Sequence, residues 1–372
     1  MPAVVETTEV LVIGGGIIGL LTARALSQRG YRVTVVESSQ AGGQASPRAA
    51  GIIAPAMPGS PDPLVHLHRR ALTLFPAVVD ALERETGLAL DYRTPGLLVP
   101  AFTPEEAAAL QSQAGGEAVW LEAAEVRAAE PALQPTVSGA LRLPGGRLDP
   151  ARFVRAALLA ALRSGVRLRE GVAGRRLQIQ GGRCRGLETD AGLIAAEVTV
   201  LAAGCGSATL AGCQPPVPIV PIRGQIVQAD GRSLPVPLRH LLVARTGEAF
   251  RYIVPRGDGT LILGTTQERV GFAPGPTLGG LAGILTDLLR WVPALAEAPL
   301  VGTWACWRPA TPDGRPILGW SACQGLLYAT GHGFDGLTLA PLTAAVVTAL
   351  IQGEPPPIPL TDLAPDRFTT VS

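Results

Sequence analysis

The chain contains no lysine and no asparagine, so all 31 of its basic residues are arginine. Without lysine no side-chain Schiff base can form, which excludes pyridoxal-phosphate chemistry and lysine-dependent aldol chemistry. Without asparagine there is no N-glycosylation acceptor. Both absences fit either a thermophile, since Asn is thermolabile, or codon bias in a GC-rich genome. Charge is sparse as well: 16% of residues are charged and the formal net charge is +1, against roughly 25% charged in an ordinary soluble domain. No basic block occurs, so neither nucleic acid nor an anionic membrane is expected as main partner. The five cysteines, Cys184, Cys205, Cys213, Cys306 and Cys323, form no CxxC pair and are odd in number. They make neither a disulfide framework nor a zinc site, and a reducing, cytoplasmic setting is expected. His66 and His68 lie two apart in a helical segment, on different faces, so no metal site is expected. The N-terminus does not read as a signal peptide. The apolar run at residues 337–351 is shorter than the roughly 20 residues that span a bilayer.

What is there begins with "EVLVIGGGIIGLLTARALSQRGYRVTVVE", residues 9–37. A short, wholly apolar run reads as a strand buried on both faces of a parallel sheet. Gly14, Gly16 and Gly19 follow in G-x-G-x-x-G spacing, with Ile17 and Ile18 between the last two. A helical period then runs to Gly30, and a second apolar strand ends on Glu37, next to Ser38. Gly14 permits the tight turn, Gly16 lets backbone N–H groups reach a pyrophosphate, and Gly19 lets the helix sit close on the strand. Glu37 is placed to accept hydrogen bonds from a ribose. Strand, glycines, helix, strand and terminal acid in register predict an adenine dinucleotide site. The next loop, "AGGQASPRAAGIIAP" (residues 41–55), carries Ala45, Ser46, Ala50, Gly51 and Ile52. Small residues there would lie along the longer FAD, whereas a nicotinamide domain would proceed directly to its next helix and strand.

Further along, Asp149 and Pro150 read as the N-cap and first residue of a helix. A later strand is expected over residues 198–202, turning at Ala203 and Gly204. Val172, at the end of its own strand, could pair its main chain with an adenine or simply fill the core. Residues 76–140 read as helical, and residues 215–264 as strand-rich with a hairpin turn at Asp258-Gly259. The expected division gives residues 1–75, 141–214 and 304–372 to a discontinuous FAD-binding domain, and 76–140 and 215–303 to a substrate domain. Arg308 stands among apolar and aromatic residues in "WACWRPATPDGRPILGW", where it needs a partner. A substrate carboxylate and a structural ion pair are equally open. Near the C-terminus "YATGHGFDGLTLAP" packs Gly331, Gly333 and Gly336 into one loop, which suggests close backbone approach to something.

The motifs "VIGGGIIG", "ESSQAGGQASPRAAGI", "VLAAGCGS", "YIVPRGDGTLILGTT", "WRPATPDGRPILG" and "GHGFDGLTLAP", in that order, resemble the D-amino-acid oxidase superfamily of flavoproteins. The glycine oxidase branch, which serves thiazole formation for thiamine, is the nearest likeness. The resemblance implies an α/β fold: an FAD-binding Rossmann-like domain of the glutathione-reductase type with an inserted antiparallel-sheet α+β substrate domain. It implies oxidative deamination of a small amino acid or N-alkyl amino acid by hydride transfer to the flavin. The imine product would hydrolyse, and O2 would be reduced to H2O2. Arg308 matches the carboxylate-clamping arginine and Tyr252 the tyrosine that hydrogen-bonds substrate. The tail loop, His332, Gly333, Phe334, Asp335, Gly336, Leu337 and Thr338, matches the backbone that wraps the flavin ring, with His332 positioning it.

Three features qualify the likeness. Phe334 stands where glycine oxidases keep an arginine, and Asp335 replaces an asparagine, which shifts the expected substrate towards something bulkier or less polar than glycine. With no lysine above the flavin, and Gln267 in that neighbourhood, a dehydrogenase passing electrons to a quinone or other acceptor stays open, acting on a D-amino acid or proline. Cys306 resembles, in its spacing to Pro312-Asp313, a cysteine that bonds covalently to flavin. Its other reading is a buried small apolar residue beside a non-covalent FAD. A homo-oligomer, thiamine biosynthesis and amino acid catabolism all remain compatible. Two competing classes are an NADPH-consuming flavin monooxygenase and a non-catalytic nucleotide-binding protein.

Overall fold

The computed structural model describes residues 3–56, 62–247 and 249–368. The chain opens β1 (Val4–Ile13), α1 (Ile17–Gln28), β2 (Val33–Val36), the two-residue β3 (Ile52–Ile53) and α2 (Asp62–Thr86). β4 (Leu97–Ala101), α3 (Pro104–Gln111), β5 (Val119–Glu122), α4 (Ala123–Ala129), β6 (Gly139–Leu143) and β7 (Gly146–Arg147) follow. Next come α5 (Pro150–Arg163), β8 (Arg167–Arg169), β9 (Gly174–Gln180), β10 (Arg183–Thr189) and β11 (Gly192–Leu201). The second half holds β12 (Val220–Asp230), β13 (Leu241–Thr246), β14 (Ala249–Pro255), β15 (Thr260–Gly264) and α6 (Leu278–Trp291). It closes with β16 (Leu300–Ala310), β17 (Ile317–Trp320), β18 (Leu326–Thr330) and α7 (Gly336–Gln352).

These elements make two large sheets. In the first, β17-β18-β11-β1-β2-β8 lie side by side, with the β9–β10 hairpin attached to β11. β1 runs parallel to both β2 and β11, because the glycine turn and α1 cross over between β1 and β2. The apolar run in β1 serves both faces by the two-residue period of a strand. Val10 and Val12 join the core under α1, α2, α5 and α7, while Leu11 and Ile13 join the core on the hairpin side. Asp149 caps α5 as expected, accepting the Arg152 N–H at 3.0 Å. The second sheet runs β16-β12-β15-β14-β13-β4-β6-β5. All of its pairs are antiparallel except β13 with β4, so it is mixed rather than purely antiparallel. Asp258-Gly259 makes the β14–β15 hairpin, with Gly259 at φ 86°.

Residues 76–140 are more helical than extended, with the end of α2, α3 and α4, but they also supply β4, β5 and the start of β6 to the second sheet. Three expected boundaries fall inside elements, the one between 140 and 141 cutting β6. Position 76 lies within α2, where Phe75, Val79 and Leu82 continue one buried face against the first core. Position 304 lies within β16, which pairs along its length with β12. A proline and a dense motif marked those points in the sequence. Burial and strand pairing carry the elements through them.

Candidate active site

A cavity of ≈ 700 Å³ runs from the glycine turn of the first sheet to the face of the second. At one end Gly14 takes φ +112°, and a Cβ there would stand 2.4 Å from the Ala202 carbonyl oxygen. Only glycine fits that close approach. At Gly16 the nearest atom to a would-be Cβ is the Ser46 hydroxyl at 3.5 Å, which leaves the α1 N-terminus open. The N-cap residue, Gly16, has no side chain to cap α1, so the helix dipole and first N–H groups face the cavity, a ready anion site. Ser46 accepts one of those N–H groups, from Ile17, at 3.2 Å. Gly19 does not line the cavity. Its absent Cβ would stand 2.0 Å from the Gly14 carbonyl oxygen, which is the close helix packing the sequence implied.

Glu37 is buried at the end of β2 and lines the same end. One carboxylate oxygen accepts the Gly15 N–H at 2.9 Å, the other the Ser39 N–H at 3.0 Å. The Ser38 hydroxyl donates to it at 3.1 Å. This ties the second strand to the glycine turn. Val172 also lines it, three residues past the end of β8 rather than within that strand. Its N–H is spent on the Glu37 carbonyl at 3.0 Å, so an adenine amino group would have the Val172 carbonyl as its partner. Ala45, Ala50, Gly51 and Ile52 line it as well, as do Ala203 and Gly204. Arg256, from the β14–β15 hairpin, donates to the carbonyls of Leu148 and Ala50, the latter at 2.7 Å. The second sheet thereby holds that loop in place.

The far end joins the tail loop to the second sheet. His332 through Thr338 line it, together with Tyr252, Cys306, Arg308 and Gln267. Arg308 projects from β16 across Gly224, whose absence of a Cβ makes its room. Its Nη1 donates to the Thr266 carbonyl at 3.1 Å and Nη2 to the Thr265 hydroxyl at 2.7 Å. The face of Phe334 lies 4.6 Å from its guanidinium carbon. Among the described residues no carboxylate pairs with Arg308, so of the two readings left open the structural ion pair is not made there. A half-buried guanidinium facing only neutral groups, with part of its five-donor fork unspent, calls for an anion. Phe334, 49% exposed, stacks on this arginine rather than merely replacing one.

Tyr252 is 3% exposed. Burial pushes its phenol up to about 12, further than Arg308 and Thr265 pull it down. It is therefore a neutral hydrogen-bonding group at neutral pH. Cys306 is buried, and burial raises its pKa against the pull of Arg308 and Arg48, which keeps it as the thiol rather than the nucleophilic thiolate. His332 is buried with Nε2 2.9 Å from the Thr343 hydroxyl; desolvation brings its pKa down to about 4, although Asp335 raises it. It stays neutral and anchors the loop to α7. Sequence reasoning missed two neighbours. Thr265, just past β15 in "LGTTQE", braces Arg308 and carried no signal beyond that position. His68, set aside there as no metal ligand, lines the cavity from α2 and bonds Asp335. No grouping of metal-ligating side chains occurs among the described residues.

The open glycine turn, the bare helix N-terminus and the buried acid fit an adenine dinucleotide, and the length of the cavity beyond them fits FAD. Residues 9–350 match the family described as "DAO: FAD dependent oxidoreductase". The chain belongs to that family, and FAD is its cofactor. It is 37% identical over 352 residues to the bifunctional protein ThiO/ThiG of Trichormus variabilis, covering 93% of this chain and 53% of that one. The chain thus spans about half the length of that relative. It is 32% identical over 375 residues to the glycine oxidase of Geobacillus kaustophilus, covering 97% of this chain and 96% of that one. The crystal structure of glycine oxidase from Geobacillus kaustophilus superposes with a TM-score of 0.89 at 30% identity, over 96% of this chain and 98% of that one. The α/β fold with its FAD-binding Rossmann-like domain is therefore the fold of this family. No helix of the described residues is long and apolar enough to cross a membrane.

Proposed function

We propose that the chain oxidises the Cα–N bond of a small amino acid or N-alkyl amino acid, with the first sheet carrying FAD and the second binding substrate. One observation carries this reading: the carboxylate-free Arg308 guanidinium beside the Tyr252 hydroxyl, at the cavity end lined by the tail loop. Arg308 takes the substrate carboxylate through its fork. Tyr252, neutral and buried, hydrogen-bonds the substrate and fixes its orientation. When bound, FAD supplies the two-electron acceptor for the α-C–H, leaving an imine that water hydrolyses. Neither Tyr252 nor Cys306 offers a base at neutral pH, and none is needed where the amine enters unprotonated. The identities of the glycine oxidase relatives support an amino acid substrate. Phe334, stacked on Arg308, supports a side chain with apolar surface over glycine itself.

Arg308→Ala tests the reading. KM for amino carboxylates should rise on the order of a hundredfold, as the loss of charge-assisted bonds worth about 2–3 kcal/mol implies, with FAD retained. Unchanged KM would refute the clamp. For the electron acceptor a second reading is favoured by the missing lysine and by Gln267 on the cavity wall: a dehydrogenase rather than an oxidase. Reoxidation of the reduced protein by air within the turnover time supports the oxidase, and reoxidation only by a quinone or dye supports the dehydrogenase.

A further inference from the structure

His68 projects from α2 and is 5% exposed. Both of its ring nitrogens face oxygen acceptors. Nδ1 lies 3.0 Å from the Ala54 carbonyl oxygen, and Nε2 lies 3.3 Å from a carboxylate oxygen of Asp335. A carbonyl and an ionised carboxylate only accept, whereas neutral imidazole has one N–H. Both contacts are satisfied when the ring is an imidazolium against a carboxylate, a pair with no net charge. Burial opposes that charge, but the bonds to Asp335 and Ala54 outweigh it and the His68 pKa is raised.

Asp335 occupies the turn that opens α7, and it lines the cavity with His68. The adenosine end of the cavity is defined by Gly14 and Glu37, so the reactive ring of FAD belongs at the opposite end, beside Arg308 and this turn. A bare carboxylate there would oppose the negative charge that reduction adds. Two other titratable or charged groups face Asp335 or its turn. His332, in the same loop, is buried and neutral, and Arg308 reaches the turn from β16 through the ring of Phe334. Neither cancels the carboxylate as His68 does.

We propose that His68 is a positioning residue that neutralises Asp335 and so holds up the reduction potential of the bound FAD. This rests on the cavity being the FAD site, as read above. The test is the midpoint potential of the FAD-loaded protein, measured by reductive titration against a reference dye, for wild type, His68→Gln, Asp335→Asn and the double variant. His68→Gln should cut the reduced-to-oxidised ratio at a fixed potential at least tenfold, a fall of about 30 mV for this two-electron couple. Asp335→Asn and the double variant should stay near wild type, because the charge that needed cancelling is gone. A His68→Gln potential equal to wild type with FAD retained overturns the proposal, as does a double variant as low as His68→Gln. Should His68→Gln fail to hold FAD, recovery of binding in the double variant supports the charge role, and failure in both shows a packing role and overturns it. A wild-type protein that takes up no FAD would overturn the cavity reading itself, an outcome distinct from these.

Discussion

Single residues decide most of what this cavity can do, and Gly14 is among the strictest of them. Its φ of +112° and the Ala202 carbonyl 2.4 Å from a would-be Cβ leave no room for alanine. Gly14→Ala should lose at least about 1–3 kcal/mol in backbone strain alone and release FAD, readable by thermal melting and by flavin absorbance in the flow-through of a desalting column. His332 makes a pH prediction. Its folded pKa, about 4, lies below the ordinary value of 6.5, so the unfolded chain takes the proton first. Stability contributed by this residue is therefore full above 6.5, falls as pH drops from 6.5 towards 4, and changes no further below that. The slope is at most about 1.4 kcal/mol per pH unit. His68, with its raised pKa, acts with the opposite sign: its contribution is lost as pH rises through the folded value. Comparing melts of wild type and His332→Gln across this range isolates the His332 slope, and parallel curves would show that the ring is not held neutral.

At the scale of elements, the first sixty residues were the most legible, because one local pattern carries strand, turn, helix and acid together. β1, α1 and β2 form where the apolar periods put them, and α5 starts at the Asp149-Pro150 signal. The middle was less legible. β4, β5 and β6 are short, and each is stabilised by a partner far away in sequence, which no local period reveals. Val172 shows the limit on a smaller scale, since its position past β8 depends on the Glu37 carbonyl taking its N–H. Contacts that run between the sheets were hidden for the same reason. Arg256, read in the sequence only as part of a hairpin, reaches Ala50 and Leu148 and fixes the loop along the cavity. Arg256→Ala should cost about 1–3 kcal/mol by stranding those carbonyls and weaken FAD binding as well. Urea melts and a cofactor titration measure the two effects, and a variant with normal FAD affinity would show that the loop holds its shape without the arginine.

Across the whole molecule the site is assembled from four distant parts, one of them Val172, Ala203 and Gly204 just past β8 and β11. The glycine turn and Glu37 come from the N-terminal third, Tyr252 and Arg308 from the second sheet, and the lining from His332 to Thr338 from the tail. The sequence named these residues through their motifs, and the fold brings all but Gly19 to one cavity. It could not show that Arg308 has no carboxylate partner among the described residues or that Asp335 has a histidine, because both facts depend on which side chains far apart in sequence meet in space. The account joins an FAD end to a carboxylate-binding end through a single cavity. Anaerobic titration of the FAD-loaded protein with matched pairs of amines, each with and without the α-carboxylate, tests that join most directly. The flavin should bleach with the amino carboxylates, including N-alkyl and larger apolar ones, and should keep its colour with the decarboxylated partners. Equal bleaching by both members of a pair, or bleaching by neither across the panel, would contradict the account.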